Sequence, residues 1–281
     1  RVGQTWSDFV VSLFRGRNLE RSSGMAKRTV AVQLIIFGKR NKEDLAGVLD
    51  DVAAAGYQGV ETGCLADQVS GKEFKKMLDD RGLAHVGAHF GGPTLLSDLG
   101  KVIDWLGETG GTDVPISDLR TIDKPLDVYK QCADEYNEAG RRCNEAGLVL
   151  SYHNHSWELK PAQDGSLPLE YLYAQTDPKL VKLCIDAYWV RDGQVDPAAF
   201  VAKHASRLRI LHAKDSYLEE VGKRSFAPVG EGVLDFPAIF KAADKSPARW
   251  IVVEQDVPDH DRQAAECIAS SRKAIKKMIK L

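Results

Sequence analysis

The stretch LVLSYHNHSWEL (148–159) joins the pattern of a buried strand to a cluster of polar side chains. Its first five residues, LVLSY, form the nearly continuous apolar run that is typical of a strand buried on both faces. The run then ends in two imidazoles, an amide and a carboxylate, supplied by His153, Asn154, His155 and Glu158. Because unpaired polar groups are costly to bury, this strand tip is predicted to lie at a site that uses them.

The same alternation of an apolar run and a helical segment recurs eight times from residue 29 onward. The predicted strands are 29–37, 59–63, 84–90, 112–117, 148–155, 181–190, 207–215 and 248–256. Pro115 counts against the fourth strand, since proline cannot donate a hydrogen bond to a sheet. About 250 residues for eight strand–helix units match a closed barrel. The sequence therefore predicts an α/β fold, a (β/α)8 TIM barrel in a single domain.

Two structural alternatives accompany this prediction. A doubly wound open sheet usually carries a glycine-rich turn after an early strand, and no GxGxxG occurs in the chain. Residues 1–24 are expected to be an N-terminal extension outside the fold, so that the barrel spans 25–281; the alternative is a docking helix over residues 5–15.

Composition limits the partners of the protein. The formal net charge of −2 gives no electrostatic reason to expect nucleic acid or an anionic membrane. The five cysteines are scattered without a CxxC pair, which disfavours a cysteine zinc site and fits a reducing, cytoplasmic compartment. No apolar run reaches the roughly 18 residues of a membrane helix. The composition does not determine the oligomeric state, and a homo-oligomer is one of the possibilities.

Most of the predicted strands carry a polar residue near their C-terminal end. These residues are Glu61, His89, His153, His155, Asp186, His212 and Glu254. In a βα barrel all such ends meet at one rim, where active sites lie. A single polar residue at a strand end often only caps the next helix. Asp186 after LCI and Glu254 after WIVV are costly to bury unless a cation neutralises them, so the rim is predicted to bind a divalent metal ion.

Three further features allow two interpretations each. Lys214 either binds a substrate oxygen or forms a surface ion pair with the next residue. The Gly-Glu-Gly segment in VGEGVLDF (229–236) either closes over a ligand or is only the turn before a helix capped by Asp235. Trp157 and Trp189 are either platforms for a sugar or part of the core at the top of the barrel.

Several of these segments, taken together, resemble one superfamily. They are HNHSWE, CIDAYW, RILHAKD, VGEGVLDF and IVVEQD. As a set they resemble the xylose isomerase-like TIM barrels, the AP endonuclease family 2-like group of sugar phosphate isomerases and epimerases. This group also includes inosose dehydratases, hydroxypyruvate isomerases and endonuclease IV-type enzymes. The resemblance covers about residues 29–281.

The resemblance implies a divalent metal (Mn²⁺, Mg²⁺, Co²⁺ or Zn²⁺) held by strands five to eight. Three ligand positions match, namely Asp186, His212 and Glu254. The fifth strand departs from the pattern, because His153 stands where many relatives have a metal-binding glutamate. We therefore expect His153 to be the fourth ligand.

Roles for other rim residues follow from the same resemblance. Glu254 is expected to act also as a base, and His155 and Glu158 are candidates for the second proton-transfer group or for binding sugar hydroxyls. A neutral histidine is able to act as a base near neutral pH. The substrate-binding candidates are Glu61, His89, Lys214 and Trp189.

The implied activity is that of a metal-dependent sugar isomerase or epimerase, acting through an enediolate on a small sugar or polyol derivative. The alternative is a lyase or dehydratase that acts by β-elimination on a keto-inositol or 3-keto-glycoside. His153 in place of a glutamate removes the two-glutamate proton shuttle of the epimerases and favours a one-base route. An abasic-site endonuclease, which needs more ligands and a DNA-facing surface, and an inactive binding barrel are more distant alternatives.

Overall fold

Eight parallel strands close into a barrel in which each strand pairs with its neighbours in chain order. The computed structural model describes residues 28–162, 165–259 and 261–279. The strands are β1 (Thr29–Gln33), β2 (Gly59–Gly63), β3 (Ala84–His89), β4 (Asp113–Ile116), β5 (Val149–His153), β6 (Val181–Asp186), β7 (Leu208–Ala213) and β8 (Trp250–Val253). The pairing of β8 with β1 closes the ring, which confirms the predicted TIM barrel in a single domain. The segments 1–24 and 5–15 lie outside the described residues.

Helices follow the strands, as the alternating pattern predicts. They are α1 (Arg40–Glu43), α2 (Leu45–Ala54), α3 (Gly71–Asp79), α4 (Leu95–Thr109), α5 (Leu126–Glu145), α6 (Pro168–Gln175), α7 (Ala187–Asp192), α8 (Pro197–His204), α9 (Phe236–Ala243) and α10 (Ala264–Met278). Their apolar faces and the outer faces of the strands form one large buried cluster. In the part of the chain that the structure describes, no helix has the length and apolar character needed to cross a membrane.

All of the strands except β2 are shorter than predicted, and β1 and β6 each end four residues early because a polar side chain caps the turn that follows. β1 ends at Gln33, whose side chain accepts a hydrogen bond of 2.7 Å from the amide of Ile35, and a 3-10 helix replaces the predicted strand end. β6 ends at Asp186, whose carboxylate accepts a hydrogen bond of 3.1 Å from the amide of Trp189 and begins α7. The apolar residues beyond both caps therefore belong to helical turns.

The fourth strand forms despite Pro115. The carbonyl of Pro115 still accepts a hydrogen bond of 2.8 Å from the amide of Phe90, and Pro115 pairs in register with Ser151 of β5. A proline in a strand loses only the donor half of its ladder bonds, so β4 is short but continuous with both of its neighbours.

The barrel interior accounts for the polar strand tips. Five buried residues, each from a different strand, form a separate apolar cluster: Ala31, Val86, Cys184, Ile210 and Val252. Side chains alternate along a strand, so the residue two positions later faces the same interior. On β1, β6, β7 and β8 the residues two positions after the cluster members are therefore expected to face the interior. They are Gln33, Asp186, His212 and Glu254.

After β7 the chain forms a two-stranded ribbon, Asp215–Ser216 with Phe226–Ala227, above the barrel. The Asp215 carboxylate accepts hydrogen bonds from four backbone amides, those of Ser216, Gly230, Gly232 and Leu234. The Gly-Glu-Gly segment is thus a turn fixed by Asp215. It leads into α9, whose N-cap is Asp235 as predicted, with a 3.1 Å bond from the amide of Ala238.

Candidate metal centre and active site

Four side chains from β5 to β8 meet at the C-terminal rim. His153, Asp186, His212 and Glu254 each offer one ligand-type atom, and these atoms lie within 4.8 Å of one another. All four residues are buried. The four predicted metal ligands are therefore placed together, in a cluster that could hold a metal ion.

Distances within the cluster are short. His153 Nε2 lies 3.6 Å from Asp186 Oδ2, and His212 Nδ1 lies 2.7 Å from Glu254 Oε2. The rings of His153 and His212 are 4.8 Å apart between centroids. Despite these contacts, Nε2 of His153 and Nδ1 of His212 have no hydrogen-bond partner of suitable geometry.

Buried atoms without a hydrogen-bond partner point to a shared cation. Among the described residues they include both ring nitrogens of His153, Oδ2 of Asp186, Nδ1 of His212 and Oε1 of Glu61. Most buried polar atoms in proteins are hydrogen-bonded, so several unpaired ligand atoms in one place require an explanation. A divalent ion would bind one atom from each of the four cluster residues, including one of the two His153 nitrogens, and two imidazoles with two carboxylates are a suitable donor set.

A second group of residues supports the cluster from β2 and β3. Glu61 Oε2 lies 3.1 Å from His212 Nε2, and Glu61 Oε1 lies 3.7 Å from His89 Nδ1. His89 Nε2 in turn lies 3.1 Å from the hydroxyl of Ser117. The predicted substrate-binding residue Glu61 is fully buried and contacts His212 of the metal cluster. A carboxylate on the far nitrogen of a ligating histidine fixes the orientation of its ring.

Lys214 is buried at the cavity wall, which excludes its alternative interpretation as part of a surface ion pair. Its ammonium donates to Glu254 Oε1 at 3.0 Å and to the carboxylate of Asp256. Trp189 and Phe226 cover it, with ring centroids 4.7 and 4.8 Å from Nζ. The lysine thus holds one oxygen of Glu254 in place.

The two carboxylates of the cluster differ electrostatically. Burial raises the pKa of Asp186 to about 7, although the nearby Lys214 ammonium opposes the rise. Burial would also raise the pKa of Glu254, but the positive charges of Lys214 and His212 hold it well below its usual range. Asp186 is therefore the group whose ionisation most needs a bound cation.

A cavity of about 560 Å³ lies above the cluster. Six of the predicted site residues line it: His89, His153, His155, Trp189, Lys214 and Glu254. Asp186 and His212 lie beneath its floor with Glu61. The polar lining residues that the sequence pattern did not single out are Gln33, Asn41, Thr62, Ser117, Arg224 and Asp256. Gln33 was accessible to sequence reasoning through its two-residue spacing from Ala31, and Asp256 through its spacing from Glu254.

His155 lies at the cavity wall and is stacked on Trp157, with centroids 4.1 Å apart and planes 10° apart. Its Nδ1 has no hydrogen-bond partner among the described residues. Burial lowers the pKa of His155, and the neighbouring His153 lowers it further. The imidazole is therefore a neutral group that lines the cavity.

Glu158 and Asn154 serve the rim loop. Glu158 is fully buried and absent from the described cavity lining; its oxygens accept hydrogen bonds of 2.8 Å each from the Tyr152 hydroxyl and the His155 amide. Asn154 bonds both the amide and the carbonyl of Asp186, at 3.0 and 3.4 Å. The geometry thus separates Glu158 from the cavity, contrary to its expected role in proton transfer.

Comparison with known families gives one match across most of the chain. The model of the family described as xylose isomerase-like TIM barrel matches residues 49–278. This span includes β2 to β8 entirely and all four residues of the cluster.

Individual relatives are more distant. The inosose dehydratases of Clostridium beijerinckii and Erwinia tasmaniensis are 27% and 28% identical, over 85% and 78% of this chain and 91% and 84% of those enzymes. A crystal structure of a sugar phosphate isomerase/epimerase from Parabacteroides distasonis is similar, with a TM-score of 0.76 and 26% identity. That comparison covers 92% of this chain and 98% of the other.

Proposed function

The chain belongs to the xylose isomerase-like TIM barrel family, and from that premise we propose that it is a divalent-metal-dependent lyase. Its substrate would be a keto-inositol or keto-sugar, from which it removes a group β to the carbonyl. The similarity to two inosose dehydratases, each over most of its length, supports this choice.

One observation carries the proposal. Among the described residues that line the cavity, the only carboxylates are Glu254 and Asp256, and both follow β8. The end of β5, three strands away around the barrel, offers His153 and His155 instead. An epimerase must remove a proton on one face and return it on the other with groups of similar basicity. The unequal walls of this cavity suit a reaction that needs one acid–base group.

His153, Asp186, His212 and Glu254 would hold the ion. Two nitrogen and two oxygen donors favour Mn²⁺, Co²⁺ or Zn²⁺ over Mg²⁺, which prefers oxygen ligands and water. When bound, the divalent ion would polarise the substrate carbonyl and acidify the neighbouring C–H bond.

The acid–base role fits His155 best. Its neutral imidazole lines the cavity and can accept the proton α to the carbonyl, and the resulting imidazolium can return that proton to the departing oxygen. Glu254 suits this role less, because Lys214 holds one of its oxygens and the other lies beside His212. The Lys214 ammonium can donate a hydrogen bond to a substrate oxygen and fix the ring of the substrate.

A second candidate is a sugar isomerase or epimerase. The similarity to the Parabacteroides distasonis protein of that name favours it. So does the position of His155 and Glu254 at strand ends three places apart around the barrel, where two groups could exchange protons with one substrate.

The test is to incubate the Mn²⁺-loaded protein with 2-keto-myo-inositol and with a 3-keto-glucoside and to follow product masses. Loss of water or of the glycosidic alcohol supports the lyase. Conversion without a change of mass supports the isomerase. The variant His155→Gln is expected to lose at least about 100-fold in kcat while retaining its metal. The variant Glu254→Gln is expected to lose both activity and bound metal. Full activity in His155→Gln would remove the acid–base assignment.

A further inference from the structure

A second cleft of about 580 Å³ opens beside the active-site cavity. We name it the outer cleft. Its lining is mixed: Ile122, Trp157, Leu159 and Val221 are among the apolar side chains, and Asp123, Lys160, Asp192 and Arg224 are among the charged ones. Three of them, Ile122, Trp157 and Arg224, also line the inner cavity above the metal cluster. The two spaces therefore share a wall at the mouth of the site.

Exposed apolar side chains concentrate around this mouth. Ile35 and Leu119, exposed by 45% and 67%, border the inner cavity, and Val221, exposed by 42%, borders the outer cleft. Ile122, exposed by 37%, lies between them. Large apolar side chains gathered on a surface usually mark a binding site, and here they continue from the cavity into the cleft.

The shared wall is rigid and aromatic. Trp157 stacks on His155 at 4.1 Å between centroids, and its indole nitrogen donates a 3.3 Å hydrogen bond to the hydroxyl of Thr121. Arg224 lies over Trp189 at 5.2 Å from the ring centroid. Within the described residues no carboxylate forms an ion pair with Arg224, which leaves its guanidinium available at the junction.

We propose that the substrate is a keto-glycoside whose leaving group is a bulky alcohol that carries an apolar group. The keto-sugar would occupy the inner cavity and the alcohol the outer cleft. This inference rests on the proposed lyase function and narrows its substrate class. A keto-inositol loses only water and would leave the outer cleft unused, whereas a glycoside whose scissile bond passes His155 would use both spaces.

The reaction balances without a co-reactant. In a 3-keto-glucoside the C2–H bond breaks and its proton passes to His155. The electron pair forms a C1–C2 double bond as the C1–O bond breaks, and the departing oxygen takes the same proton back. One glycoside therefore gives one enone sugar and one free alcohol, with no net oxidation or reduction.

The test compares benzyl and methyl 3-keto-β-glucosides, whose leaving alcohols have similar acidity, so a rate difference reports binding of the apolar group. We expect kcat/KM to be at least about tenfold higher for the benzyl compound. The double variant Ile122→Ser, Val221→Ser should bring the benzyl-to-methyl ratio near one. Leu218→Ser, on the same loop and exposed by 39%, is the matched control and should keep the ratio.

A parallel titration with the unoxidised benzyl and methyl β-glucosides measures binding alone, because these compounds lack the ketone and cannot be eliminated. We expect the same preference and the same loss in the double variant. Equal affinities together with equal kcat/KM values would overturn the outer-cleft assignment. Dehydration of keto-inositol without a benzyl preference would overturn the cleft and keep the lyase. A benzyl preference in binding without any elimination would keep the cleft and overturn the lyase.

Discussion

Glu61 Oε2 lies 3.1 Å from Nε2 of His212, on the side of the imidazole away from the other cluster residues. This contact joins β2 to β7 across the barrel and leaves Nδ1 of His212 facing Glu254. The carboxylate thereby sets both the ring orientation and the nitrogen that is free to bind an ion.

The variant Glu61→Gln should therefore weaken Mn²⁺ or Zn²⁺ binding by about 10- to 100-fold without removing a direct ligand. Competition with a chelator measures the change. Glu158→Gln is the matched control, because Glu158 is equally buried at the same rim but bonds only Tyr152 and His155. Equal loss of affinity in both variants would show that the effect is general loosening of the rim.

Asp186 offers a test in which metal binding and stability change in opposite directions. Its Oδ2 has no hydrogen-bond partner, and burial raises the pKa of the carboxyl to about 7. At pH 8 the metal-free protein must bury this charge, so Asp186→Asn should stabilise the metal-free protein by about 2 kcal/mol. The same variant should bind little metal. Thermal melting with chelator and metal analysis after dialysis report the two effects; a destabilised variant that keeps its metal would contradict the assignment.

Glu158 should give the protein a stability that falls as pH rises. Burial raises the pKa of Glu158 from 4.5 to about 7, with the Tyr152 hydroxyl acting against the rise. Between these two values the folded state holds the proton more tightly than the unfolded chain does. Its stabilisation is thus complete below about pH 4.5 and is lost as pH passes 7.

Glu158→Gln imitates the neutral carboxyl and removes this dependence. Relative to that variant, the natural protein should lose about 3 kcal/mol of unfolding free energy between pH 4.5 and 8. Denaturant unfolding of both proteins at the two pH values measures the difference. A constant difference would mean that Glu158 is ionised throughout.

The approach of β3 to β4 leaves no room for a side chain at Gly87. A Cβ atom there would lie 1.9 Å from the backbone oxygen of Asp113, whereas nothing lies within 4 Å of a Cβ at Gly63 on β2. Gly87→Ala should therefore lower the unfolding free energy by about 2–3 kcal/mol, and Gly63→Ala by less than about 1. Denaturant titration compares the two, and similar values would contradict the tight contact.

Most of the barrel was predictable because its strands are buried on both faces and are thus nearly continuous apolar runs. Asp186 and Glu254 followed from the same property, since they interrupt such runs at strand ends. The ligand roles of His212 and His153 came from the family resemblance. Strand ends were less predictable. The caps made by Gln33 and Asp186 depend on local side-chain bonds that the apolar pattern does not show.

The walls of the cavity were harder to predict than its floor. The burial of Lys214 depends on Phe226, which a ribbon places over it from twelve residues away. The direction of the Glu158 side chain depends on Tyr152 and on a tight turn at Trp157–Leu159. Such long-range contacts and loop conformations have no simple spacing in the sequence. Glu158 was placed in the cavity because it is close to His155 along the chain, but in the folded protein its side chain does not line the cavity.

The most direct test of the lyase function is a reaction of the metal-loaded protein with 2-keto-myo-inositol and a 3-keto-glucoside in heavy water. We predict an enone product with loss of water or of the glycosidic alcohol, and recovered substrate that keeps its configuration. A recovered pool that contains an epimer or an aldose–ketose isomer carrying deuterium, with no elimination product, would contradict the lyase and establish the isomerase in its place.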